Sequence, residues 1–304
     1  MNLTQLNFTH LAAFHAAAIT GSVTAAARRL HVSQPALTRE IRELEARLGV
    51  TLFDRLPRGM QLTEAGRLLA EFSTQIFHLA ASAETALGEF AGLTRGHVAL
   101  VASHTVGVYL LPGLIDTFNS RYPGVTLDLA ITNSEAVQRA LVAQERQLGW
   151  VEGPYDTDVF DAVCIGDDEI VAVAGSRHPY ARRRRLSAAD LDNGELVMRE
   201  AGSGTREAMA AAYAAQGLVL APAVSIASAQ AITRLLRLGR AISWVSRRSV
   251  TDELAAGVLV ELAVSDLRVA RPLQMIWRKG QALSPAARAF RDLTARQMPD
   301  ARPR

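Results

Sequence analysis

Along the first fifty residues apolar positions recur at helical spacing in three short runs, each closed by a polar or glycine stop. Leu3 to Ala18 carries Leu6, Leu11 and Phe14, and Gly21 ends it. A second run opens at Ser22 or Thr24 and offers Ala26, Ala27 and Leu30 for inward packing. The stretch SVTAAARRLHVSQPALTREIRELEARLG breaks once, at His31-Val32, and restarts with Ser-Gln-Pro. There Ser33 can cap a free backbone N–H, and Pro35 supplies a pre-set φ in the first turn. Leu37, Ile41, Leu44 and Leu48 then form one apolar stripe, the core side of a third helix.

The opposite side of that helix presents Gln34, Thr38, Arg39 and Arg42 to solvent. A short turn between two helices, the second showing small polar and basic residues near its start, is the helix-turn-helix pattern of major-groove readers. Gln can pair with adenine and Arg with guanine, while Ser and Thr suit phosphate or base edges. A plain three-helix bundle with a solvated basic face would show the same residues. The next segment, LFDRLPRGMQLTEAGRLLAEF, favours the first reading. It predicts a short strand, a turn at Pro57 and Gly59, a second strand at Met60 to Leu62 and a Thr63 cap: a wing carrying Arg55 and Arg58 toward a phosphate backbone. From Glu64 to about Ala91 the pattern stays helical, with Leu69, Phe72, Ile76, Leu79, Ala83, Ala86 and Phe90 on one stripe. Such a stripe wants a partner helix; packing on the chain's own second domain is the alternative.

After Gly92 to Arg95 the pattern resets to short apolar strands alternating with helices. HVALVAS, VTLDLAI, QLGWVEG, GELVMRE, AVSIAS and AISWVS read as strands; YLLPGLIDTFNSRY, EAVQRALVAQ, TREAMAAAYAAQG and AQAITRLLRLG read as helices. That order predicts α/β architecture with mostly parallel sheets, whose ligands bind beyond the carboxyl ends of strands. Four such ends carry suitable polar groups: Ser103 and Thr105; Asn133 and Ser134; Arg199 with the loop Gly202, Ser203, Gly204 and Thr205; and Ser228. Hydroxyls and helix N-termini together favour an anion. The two glycines of GSGT suit an anion nest or a tight helix cap, and the missing Gly-Lys-Ser/Thr continuation excludes a P-loop.

Length and composition narrow the classes. The chain has 304 residues, 49% hydrophobic and 21% charged, enough for about two ordinary globular domains. Its net charge of +3 is modest, but seven arginines and four acids between Arg28 and Arg58 give a local +3. The only cysteine, Cys164, excludes an intrachain disulfide and reads as a buried small hydrophobe, with a redox or nucleophilic role as the alternative. The start lacks a positively charged leader and no run is long enough to span a membrane, so a cytoplasmic location is the expectation. Ser103-His104 is the best reactive pair, yet neighbours on a strand end point apart and no acid is placed to orient the imidazole. The histidines show no metal-ligand spacing, so neither catalysis nor a metal or other cofactor is expected. Arg182 to Arg185, within ARRRRLSAADL, reads as a solvated loop, with a second DNA or subunit contact as the alternative.

Residues 3 to 66 resemble the DNA-binding domain of the LysR-type transcriptional regulators. AARRLHVSQPALTREIRELE, LGVTLFDR and LTEAG carry that resemblance together. Residues 93 to 300 resemble the same family's effector domain, two lobes akin to periplasmic binding proteins. The expected division is a winged helix-turn-helix at 1–63, a dimerisation linker helix at 64–92 and an effector domain at 93–304. Within the last, lobe one covers about 93–166 plus 268–300 and lobe two about 167–267.

The resemblance implies a homodimer assembling to a homotetramer on promoter DNA with an imperfect inverted repeat, read by Ser33, Gln34, Pro35, Thr38, Arg39 and Arg42. It also implies contact with RNA polymerase and an effector cleft whose first two loops are Ser103-Thr105 and Asn133-Ser134. YLLPGLIDTFNSRYPGV and REAGSGTRE most resemble members that sense sulfur or carbon metabolites, so a sulfur oxyanion, sugar phosphate or carboxylate is the expected effector. A regulator of the same fold that ignores small molecules is the alternative. Gln147, where members usually carry Asp, and Arg240-Ala241, in place of Leu-Gly of the family's Gly-Leu-Gly-Ile, depart from the pattern.

Overall fold

The structure, a computed structural model, describes residues 6–55, 60–89, 96–191 and 195–298. The chain divides into two compact units, Met1–Ala83 and Glu84–Arg304. The first is built on α1 (Phe8–Thr20), α2 (Val23–Arg29) and α3 (Gln34–Leu48), followed by the hairpin β1 (Phe53–Arg55) and β2 (Met60–Leu62) and the long α4 (Glu64–Glu89). Helix α1 starts at Phe8, later than the apolar pattern predicts, because the Asn7 side chain accepts the Thr9 N–H at 2.8 Å and caps the helix there. The break at His31-Val32 is a backbone reversal: His31 takes a left-handed φ of 55° between α2 and α3. Ser33 caps α3 by accepting the Ala36 N–H.

Leu11, Phe14, Ala26, Ala27, Leu37, Ile41, Leu44, Leu52 and Phe53 form the core of this unit. The Glu45 carboxylate accepts the N–H groups of Leu52 and Phe53, at 2.7 and 3.3 Å, and so ties α3 to the hairpin. Thr63 caps α4 by accepting the Gly66 N–H at 2.9 Å. Gly66 is required for close packing, since a Cβ there would stand 2.1 Å from the Leu52 carbonyl oxygen. The stripe predicted on α4 divides in two. Leu69 and Ile76, with Phe77, pack on the unit's own core, whereas Phe72 and Leu79, with Leu68, are more than half exposed.

The second unit runs β3 (Gly96–Ser103), α5 (His104–Tyr109), α6 (Leu111–Arg121), β4 (Val125–Thr132), α7 (Ser134–Val142), β5 (Leu148–Glu152), β6 (Phe160–Gly175), β7 (Leu196–Met198), α8 (Gly204–Ala215), β8 (Val224–Ser225), α9 (Ala229–Arg237), β9 (Ile242–Ser246), α10 (Thr251–Ala255), β10 (Leu259–Glu261), β11 (Val269–Arg278) and α11 (Pro285–Gln297). The strand order is β4-β3-β5-β11-β6-β9-β7-β8, with β10 added on β6. Pairs β3–β4, β3–β5, β7–β8 and β7–β9 are parallel. Pairs involving β6 or β11 are antiparallel, so the sheet is mixed rather than mostly parallel. The physical reason is that the chain crosses between two cores on these two long strands.

Ile165 of β6 and Leu273 and Met275 of β11 belong to one core, with Trp150, Phe118 and Phe290. Ile170, Ala172 and Ala174 of β6 belong to the other, with Tyr213 and Trp244. The changeover falls at Gly166, φ 136°, opposite a register shift at Leu273/Gln274. The helix read through YLLPGLIDTFNSRY is α6, which starts at Leu111 with Pro112 in its first turn, while Tyr109 closes the preceding α5. Cys164 is half-buried rather than buried, its thiol 3.8 Å from the Gly166 carbonyl oxygen. Arg182 to Arg185 lie on the surface; Arg183 stacks over the Tyr180 ring and Arg185 donates to Ser265. Beyond residue 298, and at 1–5, 56–59, 90–95 and 192–194, the expectations fall outside the described residues.

Candidate nucleic-acid interface and ligand cavity

Buried Leu37, Ile41 and Leu44 turn the opposite face of α3 outward. Gln34, Pro35, Thr38, Arg39 and Arg42 there line one shallow depression. Gln34, Arg39 and Arg42 are exposed, and Thr38 is half-buried with its hydroxyl donating to the Gln34 carbonyl at 2.9 Å. Ser33 is also exposed but its hydroxyl is engaged as the cap. Arg39 lies beside Glu40 and Glu43, at 3.3 and 3.8 Å. Arg55 is in β1 of the hairpin, and Arg58 lies outside the described residues.

In the second unit a cavity of about 260 Å³ opens between the two cores. Its wall includes the starts of three helices: His104 and Thr105 of α5, Thr205 of α8, and Ser228, Ala229 and Gln230 at α9. Val108, Tyr109, Ile131, Ile232 and Val245 make much of the rest apolar, and Arg199 contributes a guanidinium. Helix N-termini carry positive potential, and the apolar wall strengthens it by excluding water.

Beneath the cavity lies a buried charged cluster centred on Arg271, in β11 close to the changeover between cores. Its Nη1 forms an ion pair with Glu152 Oε2 at 2.6 Å and donates to Thr205 Oγ1 at 2.9 Å. Nη2 donates to Asp168 Oδ2 at 2.8 Å and to Thr105 Oγ1 at 3.3 Å, while Nε reaches Asp168 at 3.1 Å. Asp168 also accepts from Ser246, which lines the cavity, at 2.7 Å. Glu152 accepts the Thr105 N–H at 2.8 Å. One guanidinium therefore joins two carboxylates and the hydroxyls of Thr105 and Thr205, one from each side of the cavity.

Burial pushes the Glu152 carboxyl up, but the facing Arg271 guanidinium and the Thr105 bonds hold it below the ordinary carboxylate range. His104 is pushed the other way from a salt-bridged histidine: burial, then the charge of Arg199, lower its pKa and keep the ring neutral at neutral pH. Arg199 is itself paired with Glu200 through Nε and Nη2, at 2.8 and 2.9 Å.

Of the ten residues expected at a ligand site, Thr105, Arg199, Thr205 and Ser228 line this cavity. The structure places the other six beside it. The Asn133 side chain caps α7 by accepting the Ala136 N–H, and Ser134 Oγ accepts the Glu152 N–H at 3.2 Å. Ser103 is buried at the end of β3. Gly202 packs against Glu135 and Gly204 against the Glu152 backbone, where a Cβ would stand 2.4 and 2.2 Å from an oxygen. The GSGT loop, ending at Ser203-Gly204-Thr205, thus seats one core's helix on the other's strand, and its glycines serve that close approach.

Sequence reasoning missed Arg271, Glu152 and Asp168, which stand in strands rather than loops. A charged residue inside an apolar strand run, as in GWVEG and VARPLQMIW, is the signal that could have found them. Gln147 is turned away from this site and accepts from Ser284 Oγ at 2.9 Å.

Among the described residues no helix is long and apolar enough to cross a membrane. The model of the bacterial regulatory helix-turn-helix protein, lysR family, matches residues 8–67, and that of the LysR substrate binding domain matches 91–299. The RuBisCO operon transcriptional regulator of Allochromatium vinosum is 34% identical over 282 residues, 93% of each chain. Full-length CbnR complexed with its target DNA superposes with a TM-score of 0.71 at 25% identity, covering 96% of this chain and 99% of that one. The regulatory domain of Synechocystis PCC6803 CcmR in complex with 2-PG gives a TM-score of 0.62 at 25% identity, over 68% and 99%. A winged reading helix at one end, a two-lobed ligand-binding domain at the other and a match to both family models over nearly the whole length mean that this chain belongs to the LysR family of DNA-binding transcriptional regulators, which are not enzymes.

Proposed function

We propose that the protein is a cytoplasmic regulator that reads an imperfect inverted repeat through paired copies of α3 and responds to a small anionic metabolite bound in the 260 Å³ cavity. The functional division is 1–63 for DNA binding, 64–92 for dimerisation and 93–304 for sensing. Ser33, Gln34, Pro35, Thr38, Arg39 and Arg42 form the reading head, with Arg55 and Arg58 on phosphate. Exposed Leu68, Phe72 and Leu79, one face of α4, favour pairing of two chains through that helix. Dimers join as a tetramer, and RNA polymerase receives the output.

The observation that carries the sensor reading is the convergence of three helix starts and Arg199 on one cavity whose two sides are joined by Arg271. A carboxylate or phosphate group at the helix starts, with a small apolar or hydroxylated body against Val108, Ile131 and Val245, fits that wall. The similarity to a regulatory domain in complex with 2-PG and to a RuBisCO operon regulator supports carbon-metabolite acids ahead of sulfur oxyanions. An anion that draws Thr105 and Thr205 together favours one arrangement of the lobes and shifts the spacing of the reading heads.

The test is thermal stabilisation of the full-length protein across sulfate, sulfite, thiosulfate, sugar phosphates, 2-PG, dicarboxylates and aromatic acids. A selective shift with one class, lost in Thr205→Val, is the expected result. No shift with any member at millimolar concentration refutes the sensor reading and leaves a regulator that acts without a ligand.

A further inference from the structure

Helix α1 carries a histidine in its buried face. His10 is 5% exposed, among Leu11, Ala13 and Phe14, and its Nε2 faces two carboxylates of α3. The distances are 3.1 Å to Glu40 Oε2 and 3.2 Å to Glu43 Oε2. Its Nδ1 is buried without a hydrogen-bond partner, so every polar engagement of the ring runs through the nitrogen aimed at the glutamates. The other oxygens of the same carboxylates face Arg39: Glu40 Oε1 lies 3.3 Å from Nη2 and Glu43 Oε1 3.8 Å from Nε. The two glutamates are thus shared between a scaffold histidine and an arginine of the reading face.

We propose that His10, Glu40 and Glu43 form a binding site for a divalent transition-metal ion, and that occupancy releases Arg39 for DNA. One donor atom from each of the three residues lies within 4.8 Å of the others. Imidazole and carboxylate ligands sit about 2.0–2.2 Å from zinc-like ions. At tetrahedral or octahedral angles such ligands are roughly 3.0–3.4 Å apart, which the two His10 distances match. A neutral imidazole has one Nε2 proton to divide between two carboxylates, whereas a dication balances their combined charge of −2. Nitrogen and oxygen donors without a thiolate suit zinc, cobalt or nickel over copper(I).

The consequence for α3 is electrostatic. Without metal, two carboxylates attract the Arg39 guanidinium along the helix surface. With the Oε2 atoms on a dication that charge is neutralised, and the guanidinium is free to extend toward a base edge or phosphate. This step rests on the proposed role of Arg39 in DNA reading; the metal site itself does not.

The site is tested on full-length, chelator-treated protein titrated with Co2+, whose visible absorption reports nitrogen and oxygen ligation by protein. One saturable Co2+ per chain, displaced by Zn2+ and lost in both His10→Gln and Glu43→Gln, is expected. Glu43 is half exposed, so its glutamine variant keeps the fold if the histidine variant does not. No saturable uptake at micromolar Co2+, or undiminished uptake in Glu43→Gln, overturns the site.

Affinity for a duplex selected from a random pool is then compared with Zn2+ and with chelator. A gain on the order of 10-fold with metal, the scale of an ordinary coupling between sites, is expected. Unchanged affinity in a protein that does bind Co2+ overturns the release of Arg39. If Arg39→Ala binds the duplex as tightly as the parent, the DNA-reading assignment fails while the metal result stands.

Discussion

Replacing Arg271 by Met keeps most of the side-chain volume and removes the one cation shared by Glu152 and Asp168. Both carboxylates are almost fully buried, so neither can exchange the guanidinium for bulk water. Breaking a buried pair by removing one partner costs about 3–5 kcal/mol. The residual contacts, Ser246 and the Arg248 guanidinium to Asp168 and the Thr105 N–H to Glu152, together with proton uptake, keep the loss within that range rather than twice it. At about 2–4 °C per kcal/mol for a unit of this size, the midpoint falls by roughly 6–20 °C. All three tryptophans, Trp150, Trp244 and Trp277, lie in the second unit, so fluorescence-detected urea unfolding reads that unit alone.

The pH dependence separates this mechanism from simple loss of packing. In the parent, Glu152 is held below its ordinary range, so its contribution is full above that range and is lost as pH falls through the depressed value. In the variant hydrogen bonds alone, those of Thr105 among them, are left to oppose burial, so the carboxyl rises relative to the parent and the penalty, full near neutrality, shrinks on acidification. The two stability curves therefore converge as pH drops from about 7 toward about 4, the ordinary carboxylate range. A deficit under about 1 kcal/mol, the scale of exposed ion pairs, or one that stays constant with pH, refutes the assignment of Arg271 as the charge that holds the two lobes' strands together.

Arg39→Ala is expected to weaken duplex binding by about 1–3 kcal/mol, as for loss of one bidentate base contact, with oligomeric state unchanged by light scattering; anisotropy titration at fixed salt checks it. Gly66→Ala places a Cβ 2.1 Å from the Leu52 oxygen and should destabilise the hairpin and α4 start, read as loss of protection at the Leu52 and Gly66 amides in hydrogen exchange. His104, its pKa lowered by burial and by Arg199, contributes stability that is present above the ordinary histidine range and declines as pH falls through the folded value. His104→Gln should flatten the stability profile below about pH 6.5, and an unchanged slope would remove His104 as its source.

Sequence alone determined the elements whose signals are local. The Ser33 cap, Pro35 and the Leu37, Ile41, Leu44 stripe fix α3 and, by exclusion, its outward face, because a helix's two faces are set by spacing within one segment. The same holds for the hairpin, the Thr63 cap and the strand-loop-helix alternation of the second unit. Tertiary structure decided whatever depends on residues brought together from distant segments. Glu152, Asp168 and Arg271 are over a hundred positions apart at the extremes, and only the antiparallel pairing of β6 with β11 sets Asp168 opposite Arg271. Asn133 and Ser134 look like ligand groups in sequence, yet the caps and close approaches of their neighbours use them internally.

His10 shows the same limit. Metal-ligand spacing cannot be read between a residue of α1 and two of α3, although packing brings one donor atom of each within 4.8 Å of the others. The division of the α4 stripe, half into its own core and half exposed, was equally beyond periodicity, which reports that a face is apolar but not what covers it.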